Sequence, residues 1–193
     1  MKKTILYACS IIAFTIGACN SSNNDKNTSD KDSKDQAEDI NEARGMDDAD
    51  AKFLTKAAEG GMMEVELSKI AVAQAHTPDV KSFAQQMIDD HSKAGAELKA
   101  LASKKEYAVP AEPTKETKEK MADLAKKTGN DFEKAYMDKM VDDHKETVDL
   151  FEKASTDGKD AEIKSFASDK LPTLKMHLEM AQKTLDMVKS NKK

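Results

Sequence analysis

From residue 47 onward, apolar residues return at every third or fourth position through four long stretches, broken at only three places. The breaks are His76-Thr77-Pro78, Tyr107-Ala108-Val109-Pro110-Ala111-Glu112-Pro113 and Asp157-Gly158. That period is the mark of amphipathic helices whose apolar stripes face a common core. Seven glycines and four prolines in 193 residues leave the stretches uninterrupted, and Ala, Lys, Glu, Leu and Met, all strong helix formers, dominate them. The fold class that follows is all-α.

Asp47 or Asp48 can cap a first long helix whose stripe runs Phe53, Ala57, Gly61, Leu67, Ala71 and Ala75. It should end near His76-Thr77-Pro78, because the residue before a proline is pushed out of the helical region. A second long helix carries Val80, Phe83, Ala84, Met87, Ile88, Leu98, Leu101 and Ala102 and stops before Tyr107. Residues 114–127 read as a short helix with Met121, Leu124 and Ala125 inward and Gly129 as its C-cap. A third long helix spans about 130–155, with Phe132, Tyr136, Met140, Val141, Val148 and Phe151 on its stripe. Asp157-Gly158 turns it into a fourth, which shows Ile163, Phe166, Ala167, Leu171, Leu174, Leu178, Ala181, Leu185 and Val188. Pro172 is expected to bend or locally unwind that last helix.

Short turns within each pair and some twenty-five residues between the pairs predict two antiparallel hairpins joined by a long crossover. That is the ferritin-like antiparallel four-helix bundle, here over residues 47–190 with a short extra helix in the crossover. Val80-Lys81-Ser82-Phe83-Ala84 and Ile163-Lys164-Ser165-Phe166-Ala167 open the second helix of each pair, so the hairpins look like duplicated halves. A second echo, Met87-Ile88-Asp89-Asp90-His91 and Met140-Val141-Asp142-Asp143-His144, cuts across the first.

Three of the four histidines fall on the apolar stripes: His91, His144 and His177. The first helix adds Glu64, so each long helix offers one ionisable group to the core. At about 1.5 Å of rise per residue, Glu64, His91 and His144 stand at similar depths, about thirteen or fourteen residues from their turns. His177 stands nearer nineteen, an offset that Pro172 or a longer loop would have to absorb. Buried carboxylate and imidazole are expensive unless paired or coordinated. Two arrangements satisfy them: a single-metal His₃Glu site taking Zn, Fe, Mn or Cu, or a polar network, such as Glu64 accepting from histidine N–H groups, that only fixes the register. A di-iron ferroxidase is disfavoured, because the positions one turn before the histidines are Ile88, Val141 and Leu174 where that chemistry needs carboxylates. Asp90 and Asp143, rotated about 100° from their histidines, are expected to face solvent or the helix flank. The methionines near the layer, Met87 and Met140 among them, read as core fillers more than as copper ligands. His76, at the first turn, should be exposed.

The other end of the chain sets the compartment. Lys2-Lys3, an apolar run from Ile5 to Ile16 and Gly17-Ala18-Cys19 follow the order of a secretory signal. The run is shorter than the roughly 20 residues of a spanning helix. Ile16-Gly17-Ala18-Cys19 resembles the bacterial lipobox, so residues 1–18 are expected to be removed and Cys19 to carry lipid that holds the protein to a membrane. Asn20 after the cysteine resembles outer-membrane sorting. Cys9 lies in the removed segment, which leaves no thiol for disulfide or zinc-thiolate chemistry. The formal charge of −5, or −7 after processing, argues against nucleic acid as a partner. Residues 20–45 are rich in Asn, Ser, Asp and Lys with almost nothing apolar, so residues 19–46 are read as a lipidated, flexible tether.

These residues resemble the bacterial DUF4142 family. The likeness covers about Asp48 to Val188 and is carried by Phe53 with the run from Ala57 to Leu67, Phe83-Ala84 with Met87 to His91, Tyr136 with Met140 to His144, and Leu171-Pro172-Thr173-Leu174 with His177. The resemblance implies a ferritin-like, exported or outer-membrane lipoprotein and no established activity. Two functions follow: an envelope-anchored binding protein holding one transition metal through Glu64, His91, His144 and His177, or a non-catalytic interaction lipoprotein whose buried layer specifies the fold. An oxidase would further need an open coordination position and a substrate path.

Overall fold

The computed structural model describes residues 31–190, so the signal segment, the lipobox and Cys19 lie outside the described residues. The helices are α1 (Ser33–Ala43), α2 (Asp48–Gln74), α3 (Pro78–Lys104), α4 (Lys115–Ala125), α5 (Gly129–Asp157) and α6 (Ala161–Ser190), with no strand among the described residues. Their ends follow local chemistry. Asp47 Oδ1 accepts from the N–H groups of Ala49 and Asp50 and caps α2. α2 stops as Ala75 becomes extended, and Pro78 takes the first position of α3, where its missing N–H is no loss. Gly129 has φ +55 and forms the bend into α5; it stands beyond Lys126, the actual cap of α4. α6 runs unbroken through Pro172.

α2 packs on α3 and α5 on α6, and the two pairs meet through α2 with α5 and α3 with α6. The start of α5 lies beside the α2–α3 turn, where Glu133 bonds residues 76 and 77. The end of α3 lies beside the start of α6, where Lys105 pairs with Asp160 and Glu162. Packed neighbours among the four long helices therefore run antiparallel, and residues 105–128 travel back along their length with α4 against α2 and α5.

The segment expected to be a tether is partly ordered. Asn41 of α1 is buried and clamps the Ala108 backbone, accepting from its N–H at 2.7 Å and donating to its carbonyl at 2.9 Å. Ser33 Oγ and Asp32 accept from the N–H groups of Ala111 and Lys115. Polar bonds to a distant part of the chain, with Ala37 as the buried apolar side chain of the helix, order 33–43, which is why composition alone concealed it.

Two turns are clasped reciprocally. The Glu133 carboxylate of α5 accepts from the His76 N–H at 2.5 Å, the Thr77 N–H at 2.7 Å and the Thr77 hydroxyl at 2.5 Å, closing the α2–α3 turn. Asp50 of α2 accepts from the N–H groups of Lys159 and Asp160, at 3.0 and 2.8 Å, closing the α5–α6 turn. The 83-residue offset between Val80 and Ile163 also separates Asp50 from Glu133, so the clasp belongs to the repeat. Gly158 completes the second turn, because a Cβ there would stand 2.7 Å from the Ala154 carbonyl oxygen and 3.1 Å from Asp50 Oδ1.

Burial pushes the Glu133 carboxyl up, but the bonds from Thr77 and His76 outweigh it and hold it below its ordinary 4.5. Glu133→Ala leaves three part-buried donors unpaired and should lower the urea-unfolding free energy by about 2 kcal/mol at pH 7. Since the folded carboxyl is the more acidic, this contribution is present above the ordinary value and fades as pH falls through the folded one. The gap between wild type and variant should therefore narrow on acidification; a gap that widens contradicts the clasp.

Candidate metal centre

The buried core comes in two apolar clusters. Phe83, Met87, Phe132, Tyr136 and Met140 belong to the one nearer the α2–α3 turn, and Phe53, Leu54, Leu98, Phe151 and Ile163 to the one nearer the α5–α6 turn. Glu64, His91, His144 and His177 form a buried polar layer from four different helices, none more than 8% exposed. His177 joins the layer despite its greater count from the turn. Residues 158–160 are not helical, and the remaining difference of about three residues, roughly 4.5 Å, lies within reach of an imidazole side chain. The three ring centroids are 5.3 to 5.5 Å apart. One nitrogen from each ring lies within 4.8 Å of those offered by the other two.

Each imidazole is held by an oxygen on one nitrogen only. His91 Nδ1 is 3.0 Å from Glu64 Oε2, His144 Nδ1 is 2.8 Å from the Met140 carbonyl, and His177 Nε2 is 2.8 Å from Asp90 Oδ2. A carbonyl only accepts, so His144 Nδ1 carries the proton and its Nε2 a lone pair. Donation to the Asp90 carboxylate assigns His177 in the same sense, and His91 Nδ1 faces the Glu64 carboxylate. The other three nitrogens, His91 Nε2, His144 Nε2 and His177 Nδ1, are buried with no partner among the described residues. A cluster of rings, each with an oxygen on one nitrogen and the other buried without a partner, is the arrangement in which imidazoles ligate a metal.

The family model for a domain of unknown function, DUF4142, matches residues 35–184. The chain belongs to the DUF4142 family. Its matched segment reaches back into α1, ahead of the long helices. Two solved structures share the fold. A DUF305 protein from Streptomyces coelicolor, inferred to be secreted, aligns with TM-score 0.61 at 16% identity over 72% of this chain and 92% of its own. A DUF305 fragment from Deinococcus radiodurans aligns with TM-score 0.62 at 13% identity over 72% and 97%. At such identities the likeness speaks for the fold alone. No curated protein matches the chain.

In this DUF4142 chain the expected set of Glu64, His91, His144 and His177 does come together, with different roles. Glu64, expected as a fourth ligand, faces the outer nitrogens of His91 and His144, the latter at 3.5 Å from Oε1. Asp90, expected toward solvent or the flank, is half-exposed but turns to His177. Asp143, its counterpart in the repeated motif, is buried beside Lys139, and burial pushes its carboxyl up more than Lys139 draws it down. The signal for Asp90 was present in the spacing: the residue before a core histidine points toward a neighbouring helix, here α6. Met87 and Met140 are fully buried in the apolar cluster, and His76 is exposed, as expected.

Burial pushes His177 down to about 4, against the pull of Asp90, with His91 and His144 adding to the fall. The ring is therefore neutral near pH 7, as a ligand must be. In the metal-free protein the unfolded chain takes this proton first, near 6.5. Stability should be intact above that value and decline as pH falls from 6.5 through 4, by on the order of 3 kcal/mol. Urea unfolding after chelation should show wild type losing this increment relative to His177→Leu between pH 7.5 and 4.5; parallel curves contradict the assignment.

Proposed function

We propose that this protein is exported, anchored through lipid on Cys19 and built as a ferritin-like four-helix bundle that holds one transition metal ion. The antiparallel neighbours and the 105–128 connection, which serves as the long crossover with α4 in it, support the bundle reading. The Lys2-Lys3 start, the apolar run and Ile16-Gly17-Ala18-Cys19 support export and an outer-membrane anchor. No described helix is long and apolar enough to cross a membrane.

The metal reading rests on one cluster: three buried histidines that bring one nitrogen each within 4.8 Å of the others', on rings that each keep a buried nitrogen without a partner while the other meets an oxygen. Nitrogens on one tetrahedral ion at about 2.0–2.1 Å stand roughly 3.3 Å apart, so the rings need only a modest contraction to close on a metal. Imidazole donors suit Zn, Fe or Cu above Mn. Asp90, Glu64 and the Met140 carbonyl would set tautomer and ring orientation, and Glu64 would also offset the charge of the ion. A purely structural network is the second reading, favoured by the Glu64–His91 contact. It accounts for the outer nitrogens and leaves three inner ones stranded, at roughly 1–3 kcal/mol each. Holding, buffering or delivering a metal in the envelope is the activity this arrangement supports.

Elemental analysis of the untagged mature protein should find about one equivalent of metal per chain, lost in His91→Ala and His144→Ala. Added metal should raise the melting temperature of chelated wild type and not of those variants. A metal-free protein whose melting ignores Zn, Fe, Mn and Cu returns the layer to a structural role. Separately, Cys19→Ser should release the protein from the membrane fraction; retention there contradicts the anchor.

A further inference from the structure

A cavity of about 160 Å³ runs between the helices and ends on the histidine layer, with His91, His177, Glu64 and Asp90 in its lining. Two of the three unpartnered nitrogens, His91 Nε2 and His177 Nδ1, belong to those lining residues, which are 8% and 1% exposed. Gly60 and Gly61 of α2 and Gly95 of α3 line the same cavity. An added Cβ at any of the three meets nothing within 4 Å. Glycine inside a helix costs roughly 0.5–1 kcal/mol relative to alanine, and here no neighbour demands it. What the three glycines provide is the space itself.

The charges around that space favour an anion. Lys56, Lys93 and Lys170 line it, the first two exposed, while Lys170 pairs with Glu97 and lies over the Phe166 ring. Of the two acids in the lining, Asp90 meets His177, and Glu64 meets His91 through Oε2 while its Oε1 has no hydrogen-bond partner among the described residues. The volume corresponds to about five waters at roughly 30 Å³ each, enough for an ion of a few heavy atoms. Three protein ligands leave a tetrahedral ion one further position, which stays open in sites that bind exogenous groups.

We propose that the metal held by His91, His144 and His177 keeps a coordination position open toward this cavity and takes a small exogenous anion there. The inference rests on the metal reading above. The protein supplies three buried imidazoles, a water-sized space lined by glycine, and lysines beside it that raise the local concentration of anions.

The test is azide titration of the full mature protein loaded with one equivalent of Co(II), followed in the visible ligand-field bands. Wild type should show a saturable spectral change. Gly61→Leu with Gly95→Leu should keep cobalt binding and melting but weaken azide at least tenfold, and Gly61→Ala, whose methyl enters open space, should give a smaller loss in the same direction. Lys56→Gln with Lys93→Gln should weaken azide several-fold at low salt without changing cobalt affinity. Cobalt-loaded wild type whose spectrum ignores azide, or glycine variants with wild-type azide affinity, overturns the open position while leaving the metal centre standing. Failure to bind cobalt at all overturns the metal reading itself.

Discussion

The axial register of four long helices is the constraint on which everything else depends. A slip of one helix by a single turn, about 5.4 Å, would carry one member of the layer into the apolar clusters on either side and disperse the site. Apolar packing alone resists such slips weakly, because stripes of Leu, Met, Phe and Ala interdigitate in more than one register. The reciprocal clasp does not share that tolerance. Glu133 and Asp50 each reach from one hairpin to backbone N–H groups in the turn of the other, at opposite ends of the molecule. Displacing either leaves part-buried donors unpaired, so the two carboxylates fix the sliding coordinate of one pair of helices against the other.

Once the register is set, the layer it produces is locally unfavourable. Three imidazoles in the interior bring six ring nitrogens, of which three find oxygens and three do not. The apolar clusters on both sides supply the burial free energy that carries this defect, with Phe53 edge-on to Phe151 in one and Phe132 stacked on Tyr136 in the other. A fold selected for stability alone would close the layer with leucine. The stranded nitrogens are instead preorganised: their tautomers are set from behind, and neutrality at His177 is enforced by burial.

Most of the long-helix frame was legible because a period of 3.6 residues, a proline four residues past the end of α2 and an Asp-Gly turn each carry a direct physical consequence. The convergence of Glu64, His91, His144 and His177 was legible for the same reason, since stripe position and distance from a turn together specify a place in a layer. What escaped was decided by contacts between distant parts of the chain. α1 is ordered by Asn41 on Ala108, a pairing that no local pattern announces. The roles within the layer turned on which face of each ring meets oxygen. That depends on small helix rotations, so Asp90 moved in to hold His177 and Glu64 fell behind His91 rather than beside it.

The repeat shows why the site is lopsided. The helices α3 and α6 begin 83 residues apart, as do Val80 and Ile163, and as do the clasping carboxylates Asp50 and Glu133. Applied to the layer, that offset pairs His144 with Gly61, His177 with Ala94, His91 with Leu174 and Glu64 with Thr147. None of the chemistry is repeated, whereas the frame is. All four counterparts, Gly61, Ala94, Leu174 and Thr147, line the cavity beside the histidines. The symmetric scaffold thus offers two equivalent half-layers: one is filled with imidazole and carboxylate, and the other is left with small or neutral side chains around a space. A fully symmetric layer would bury a second set of ionisable groups. Confining the ionisable groups to one half keeps the desolvation penalty to one set, and leaves the cavity where the matching side chains would otherwise have stood.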